Sequence, residues 1–395
     1  VEWDVNTQAS KYSVLVIGGG STGAAVAHDL ALRGFKTTLV ERGEIASGTT
    51  GRNHCLLHSG ARYCVKDKES AIECIEENMI LRKIMPDSME LNGGLFVAVN
   101  DSDMAYMPLF IEGCEETGIP YKQYTGEEAR RLEPYLSEKT LAAVWVPDGV
   151  FEPMRMCMAF LATAKKNGAL VLPYTEVKGL HMEGNRVTGA RVWDRIQKRE
   201  YDLYADLVVN AAGPWAENIA RMAGVDVPVV PTPGVMTSMT GRLCQRVINR
   251  MNVSSDGDII VPQRQTSIIG TSSWTVDDAD YIEIPEDHVQ LMYQRGSEMI
   301  PQVGKVKPRG IFVVARPLIG RKGQDEREIA RTFEAFDHAV SDNVEGFVTI
   351  SGGKTTTARA MAETTVNVIA DKLDVEAPCQ TRDTVLLSYR DYYLI

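Results

Sequence analysis

The feature that most constrains the fold lies near the start of the chain. A β-branched run of strand length, Tyr12-Ser-Val-Leu-Val-Ile17, leads directly into Gly18-Gly-Gly-Ser-Thr-Gly23, and the stretch from Ala24 to Arg33 is rich in Ala and Leu and stops before Gly34. Apolar patterning and helix-stop chemistry predict strand, tight turn and a helix closed by glycine. Gly18, Gly20 and Gly23 meet the G-x-G-x-x-G spacing. The first glycine permits the turn, the second lets a pyrophosphate approach the backbone, and the third lets helix pack on strand. Ser21 and Thr22 then stand at the helix entrance, where unpaired N–H groups and the positive dipole end stabilise phosphate. A second strand, Lys36-Thr-Thr-Leu-Val40, ends in Glu41 and Arg42, and Glu41 falls 18 positions after Gly23. An acidic side chain there accepts hydrogen bonds from a ribose, so the unit reads as a dinucleotide-binding βαβ.

At 395 residues the chain exceeds what one growing core accommodates, and two domains are expected. Hydrophobic residues at 44% and charged residues at 24% describe a folded globular protein rather than a disordered one. The net charge of −11 argues against nucleic acid, whose binding leaves a basic footprint. It leaves room for a small anion held by a local cationic cluster. The seven cysteines show no C-x-x-C pair or metal spacing, so each is read as a small buried hydrophobe in a reducing cytoplasm, with no metal or iron–sulfur site. No apolar run reaches the ~18 to 20 residues of a transmembrane helix, and no signal peptide opens the sequence. A cytoplasmic protein is expected.

Later segments bear on which dinucleotide is bound. Ala205-Asp-Leu-Val-Val-Asn-Ala-Ala-Gly-Pro-Trp215 is an apolar strand running into a small-residue turn, and Gly346-Phe-Val-Thr-Ile-Ser-Gly-Gly-Lys-Thr355 is a late strand and glycine turn before a helical stretch. With Glu41-Arg42 these segments resemble the FAD-dependent oxidoreductases of the D-amino-acid-oxidase type. The resemblance implies an α/β architecture, a Rossmann-like FAD-binding domain with an antiparallel-sheet substrate domain. It places FAD against Gly18, Gly20, Ser21, Thr22, Gly23, Glu41 and Arg42, against Ala211, Ala212, Gly213 and Trp215, and against Gly352, Gly353, Lys354 and Thr355. Gly168-Ala-Leu-Val-Leu-Pro-Tyr-Thr-Glu-Val177 is similar to the family's strand whose end meets adenine, which brings in Val177.

A narrower resemblance rests on Thr49-Thr-Gly-Arg-Asn-His-Cys-Leu-Leu-His-Ser-Gly-Ala-Arg-Tyr63, together with Val146-Pro-Asp-Gly149, Asn210-Ala-Ala-Gly213, Ala315-Arg-Pro-Leu318 and Ser351-Gly-Gly-Lys354. These blocks, in this order, resemble the FAD-dependent glycerol-3-phosphate dehydrogenases, closest to the catalytic A subunits of the anaerobic bacterial enzymes. The resemblance adds Thr49, Thr50, Asn53, His54 and Leu56 to the cofactor site. It assigns substrate contacts to Arg62, Tyr63, Arg316, Arg331 and Lys354, and catalytic work to His58, Arg316 and Lys354. Four of these residues are cations, and guanidinium forks suit a phosphate dianion. The implied reaction is oxidation of sn-glycerol 3-phosphate to dihydroxyacetone phosphate by hydride transfer to flavin.

The residues leave two alternatives open: a flavin dehydrogenase for another small anionic hydroxy acid such as 2-hydroxyglutarate, or an FAD-binding electron-transfer or scaffold subunit. The FAD domain is expected to be discontinuous, from 10–90, 153–225 and 335–372. The substrate domain takes 91–152 and 226–334, and 373–395 forms a C-terminal tail. The longer A subunits carry a Cys-rich extension that these residues lack. Electrons are therefore expected to leave to a quinone or to partner electron-transfer subunits, with peripheral attachment on the inner face of the cytoplasmic membrane.

Overall fold

The computed structural model describes residues 8–320 and 332–395, and among them the strands form sheets of six, three, eight and three strands. The six-stranded sheet draws on distant parts of the chain. Its spatial order is Phe333–Asp337, Phe347–Gly352, Leu207–Asn210, Ser13–Ile17, Lys36–Val40 and Leu170–Leu172. All pairs are parallel except the edge pair formed by Phe333–Asp337 and Phe347–Gly352. A parallel sheet must be covered on both faces, and Val14 to Ile17 and Leu207 to Asn210 are buried without a break. One face carries the helices Ser21–Leu32, Pro153–Lys166 and Ala358–Lys372. The other carries the antiparallel strands Thr175–Glu183, Arg186–Asp194 and Arg199–Tyr204, with the helix Ala216–Arg221.

Two local expectations are corrected. The first helix begins at Ser21, not Ala24, with Gly20 as its N-cap. Thr50 makes this early start tenable, because its Oγ1 accepts the Ser21 N–H at 3.0 Å. The segment Gly168 to Val177 is two strands rather than one, Leu170–Leu172 and Thr175–Glu183, broken where Tyr174 takes φ +56°. Pro173 has no N–H to continue a ladder, so the break falls there.

The eight-stranded sheet is ordered Pro308–Ile319, Val229–Thr240, Thr266–Gly270, Ile259–Gln263, Val247–Arg250, Gly94–Ala98, Ala142–Val146 and Lys122–Thr125. It is antiparallel except at one seam, where Val247–Arg250 runs parallel to Gly94–Ala98. No hairpin joins these two segments, so no turn imposes an antiparallel pairing on them. The helix Glu286–Met299 packs behind this sheet through Met292 and Met299. The three-stranded sheet of Leu56–Leu57, Gly149–Phe151 and Met89–Glu90 joins the two large sheets.

The C-terminal residues are part of the body. Leu386 and Tyr392 are buried in the helical layer, and Arg33 donates to the Ala377 carbonyl at 3.0 Å. Arg359, fully buried, donates to Thr381 Oγ1 at 2.9 Å and to Glu77 Oε2 at 2.8 Å. Among the described residues no helix is long and apolar enough to cross a membrane.

Candidate active site

The carboxyl ends of the central parallel strands and the inner face of the eight-stranded sheet enclose a cavity of about 1840 Å³. This is where an open α/β sheet binds ligands. The volume exceeds the ~300 to 1,000 Å³ of an ordinary small-molecule pocket, which suits a dinucleotide together with a substrate.

One end of the cavity is made of backbone. Gly18 takes φ +113°, and a Cβ there would lie 2.5 Å from the Ala211 carbonyl oxygen. A Cβ on Gly23 would lie 1.9 Å from the Gly18 oxygen, so this glycine sits behind the wall and allows helix and strand to close. Gly20 meets only Thr50 Oγ1 and leaves the backbone open to the cavity. Ser21 and Thr22 line the same wall. Glu41 accepts the Gly19 N–H at 2.7 Å and the Gly43 N–H at 2.8 Å. A carboxylate offers about four lone-pair sites, so capacity remains for ribose hydroxyls. Val177, Ala211, Ala212 and Gly213 complete this end, and the buried Trp215 Nε1 has no partner among the described residues. An open glycine backbone, a polar N–H awaiting an acceptor and a carboxylate beside the turn fit the adenosine diphosphate half of FAD.

Arg42 lines the mouth, but its guanidinium is engaged. It lies 4.1 Å above the Trp215 ring and donates to Asp280 at 2.7 Å. Thr49 donates to the Ala315 carbonyl at 2.7 Å, and Asn53 donates to Thr50 O and Thr355 Oγ1. These residues shape the middle of the cavity by fixing its loops to one another. Gly352 and Gly353 both have positive φ, and a Cβ on either would lie within 2.6 Å of another atom. The turn that delivers Lys354 therefore requires both glycines.

The far end is made of side chains. His54, Leu56, His58, Arg62, Tyr63, Arg316, Lys354 and Thr355 all line it. The Lys354 ammonium stands 4.6 Å over the Tyr63 ring, and that ring is 5.5 Å from the His58 imidazole. Arg62 donates to Ser255 O at 3.0 Å and faces Asp258 at 3.7 Å. Arg316 donates to Thr232 O, Pro233 O, Ser272 O and Ser273 Oγ at 2.9 to 3.2 Å, which locks its plane. Burial, and then the neighbouring His54, Lys354 and Arg62, hold His58 well below the ordinary histidine pKa. Burial, followed by Arg62 and Arg316, holds His54 down at about 3. Both imidazoles are neutral at pH 7, and His58 can therefore accept a proton. Arg331 lies outside the described residues.

Several wall and support residues were not anticipated from the sequence. Ser272 and Ser273 sit in a short hydroxyl run, Thr271-Ser-Ser-Trp274, directly after an apolar strand. That polar step was the available signal. Thr356 accepts the His58 N–H, and Asn78, buried in the helix Lys68–Ile84, donates to the His58 carbonyl at 3.0 Å. Its i+4 partner Arg82 is local, but the carbonyls that Asn78 bridges lie 20 and 69 residues away, so the sequence around it does not mark its role.

Known proteins share much of this sequence and fold. The chain is 43% identical to the A1 subunit of the anaerobic glycerol-3-phosphate dehydrogenase of Haloferax volcanii, over 97% of this chain and 67% of that protein. It is 41% identical to the A subunit of the Escherichia coli enzyme, over 94% of this chain and 69% of that protein. The fold superimposes on the FAD-complexed glycerol-3-phosphate dehydrogenase of Bacillus halodurans with a TM-score of 0.73 at 24% identity, over 97% of this chain and 69% of that one. Residues 13–366 match the FAD dependent oxidoreductase family. A match across that span, with the cofactor cradle it contains, means that the chain belongs to the FAD dependent oxidoreductases.

Proposed function

We propose that this chain oxidises sn-glycerol 3-phosphate to dihydroxyacetone phosphate. The observation that carries the reading is a single wall on which Arg62, Arg316 and Lys354, cations from three separate segments, meet the buried neutral imidazole of His58. The identity to the A subunits of glycerol-3-phosphate dehydrogenases supports the same substrate here.

When bound, FAD supplies the two-electron acceptor for the carbinol carbon. The chain supplies position and charge. Arg62 and Lys354 hold the phosphate dianion, while Arg316, fixed by carbonyls on two sides, faces the C2 oxygen and stabilises negative charge as it develops. His58 takes the C2 hydroxyl proton. In the free site its conjugate acid is opposed first by burial and then by repulsion from His54, Lys354 and Arg62. A bound dianion offsets that repulsion and makes the imidazole a stronger base when substrate is present. The relatives are named as A subunits, which supports partner subunits as the electron acceptor; a quinone as the alternative acceptor and peripheral attachment on the cytoplasmic face of the membrane belong to the same proposal.

The test is anaerobic absorbance of the FAD-loaded protein. sn-Glycerol 3-phosphate should bleach the oxidised-flavin band near ~450 nm, and 2-hydroxyglutarate should leave it unchanged. An intact flavin that stays oxidised with glycerol 3-phosphate sinks the reading.

A further inference from the structure

The Val146-Pro-Asp-Gly149 block touches neither the cofactor cradle nor the cationic wall, yet it is tied to both sides of His58. Leu57 pairs with Gly149 and Leu56 with Val150, antiparallel, so the residues just beyond this short ladder, His58 and Ser59 on one side and Pro147 and Asp148 on the other, face each other. Asp148 is buried. Its Oδ1 accepts the Ser59 N–H at 2.8 Å, and its Oδ2 accepts Asn249 Nδ2 at 3.1 Å. Room for the carboxylate comes from Gly94, where a Cβ would lie 2.6 Å from Asp148 Oδ2. Asn78 completes the frame by bridging the His58 and Pro147 carbonyls at 3.0 and 3.1 Å, while Arg82 donates to the Asp148 carbonyl at 3.1 Å.

We propose that Asp148 is a positioning residue that fixes the His58 loop for proton transfer, the inference resting on the proton-accepting role of His58 given above. The His58 N–H is held by Thr356, its C=O by Asn78, and the next N–H by Asp148. With three successive backbone groups pinned, only two side-chain torsions remain to aim the imidazole, which is how a supporting shell sets reactive geometry. Asn249 belongs to Val247–Arg250, at the parallel seam of the eight-stranded sheet. Asp148 thus carries the register of the roof sheet to the histidine.

The experiment uses the FAD-loaded chain. Anaerobic flavin reduction by sn-glycerol 3-phosphate is followed for Asp148→Ala, Asp148→Asn and Gly94→Ala, each with His58 intact and with His58→Gln, alongside amide hydrogen exchange over residues 56–66. Asp148→Ala should lower the limiting reduction rate about tenfold or more with His58 present, with little change in half-saturation, because misplacement rather than binding is lost. In the His58→Gln background the same change should cost less than about twofold, since coupled residues are non-additive. Exchange over 56–66 should quicken. Asp148→Asn should recover most of the rate, because its carbonyl keeps the Ser59 bond and its amide meets Asn249 Oδ1, which has no partner among the described residues, once the Asn249 amide turns over. Gly94→Ala, which displaces the carboxylate with one methyl, should reproduce the loss and stands in if Asp148→Ala does not fold. An equal cost in both backgrounds, or unchanged exchange, overturns the proposal. If the unaltered protein binds FAD but is not reduced by glycerol 3-phosphate, the functional reading fails instead, and the exchange of Asp148→Ala still decides the positioning of the loop.

Discussion

The two ends of the cavity are built from different materials. At the adenosine end the wall is backbone: Gly20 leaves it open to a ligand, Gly18 and Gly23 let strand, turn and helix close behind it, and Glu41 is anchored to Gly19 and Gly43. At the reacting end the wall is side chains, and its guanidinium groups are held from far away in sequence, Arg62 by Ser255 and Arg316 by Thr232, Pro233 and Ser272. Backbone sites tolerate little change of shape but ask little of charge. Side-chain sites concentrate charge, and burying it requires fixed partners on every side. The difference predicts that lesions at the two ends separate cleanly into loss of cofactor and loss of turnover.

The largest effect should come from Lys354→Met. Removing one half-buried cation of the cavity wall should lower the flavin-reduction rate by about 10² to 10³, with FAD content near normal. Loss of FAD in that variant would break the division between the two ends. Gly23→Ala should do the reverse. A Cβ 1.9 Å from a carbonyl oxygen forces strand and helix apart, and a cost of about 3 kcal/mol, within the overpacking range, should appear as weak FAD retention and a lowered melting temperature.

A third test sharpens the comparison by placing one chemistry in two settings. His28, buried in the helix Ser21–Leu32 beside Phe160, is held down at about 3 by burial and then by Arg359. Its depressed pKa stabilises the folded state fully above the unfolded value of about 6.5. That stabilisation is lost as pH falls toward 3, because the unfolded chain binds the extra proton. His28→Leu should therefore flatten acid unfolding, with stability falling less steeply by roughly 1.4 kcal/mol per pH unit between about pH 6 and 4. Denaturant titrations at several pH values check this, and flavin reduction at pH 7 should be unaffected. The smallest effect belongs to the mouth. Arg42 and Asp280 are both substantially exposed, so Asp280→Ala should speed FAD release by no more than about fivefold, the range of a surface ion pair.

How much of this was legible follows the same division. The strand, glycine turn, helix and Glu41 are local, and their spacing alone points to a dinucleotide. The late turn at Gly352-Gly353 is equally local, since both glycines answer to their own backbone angles. The reacting end was legible only as residue types within motifs. That Arg62 would face Ser255 and Asp258 depends on contacts across 193 and 196 residues, and no periodicity reports such pairings. Asp148 stands in the sequence only within the block Val146-Pro-Asp-Gly149, and Pro-Asp-Gly is ordinary turn chemistry that accounts for an Asp there without a partner. The parallel seam and the break at Pro173–Tyr174 were missed for related reasons: the first depends on tertiary pairing, and the second on one residue within an otherwise strand-like run.

The order of the six-stranded sheet has a consequence for how the protein is made. Ser13–Ile17 lies next to Leu207–Asn210, a segment far later in the chain, which in turn lies next to Phe347–Gly352. This strand therefore waits, apolar and unpaired on one edge, until Leu207–Asn210 has been synthesised, and pairings of such sequence separation form slowly and expose aggregation-prone surface. The nascent chain should depend on chaperones through this interval. Cofactor loading belongs to its end, because the Gly352-Gly353 turn that lines the cavity emerges after both other strands.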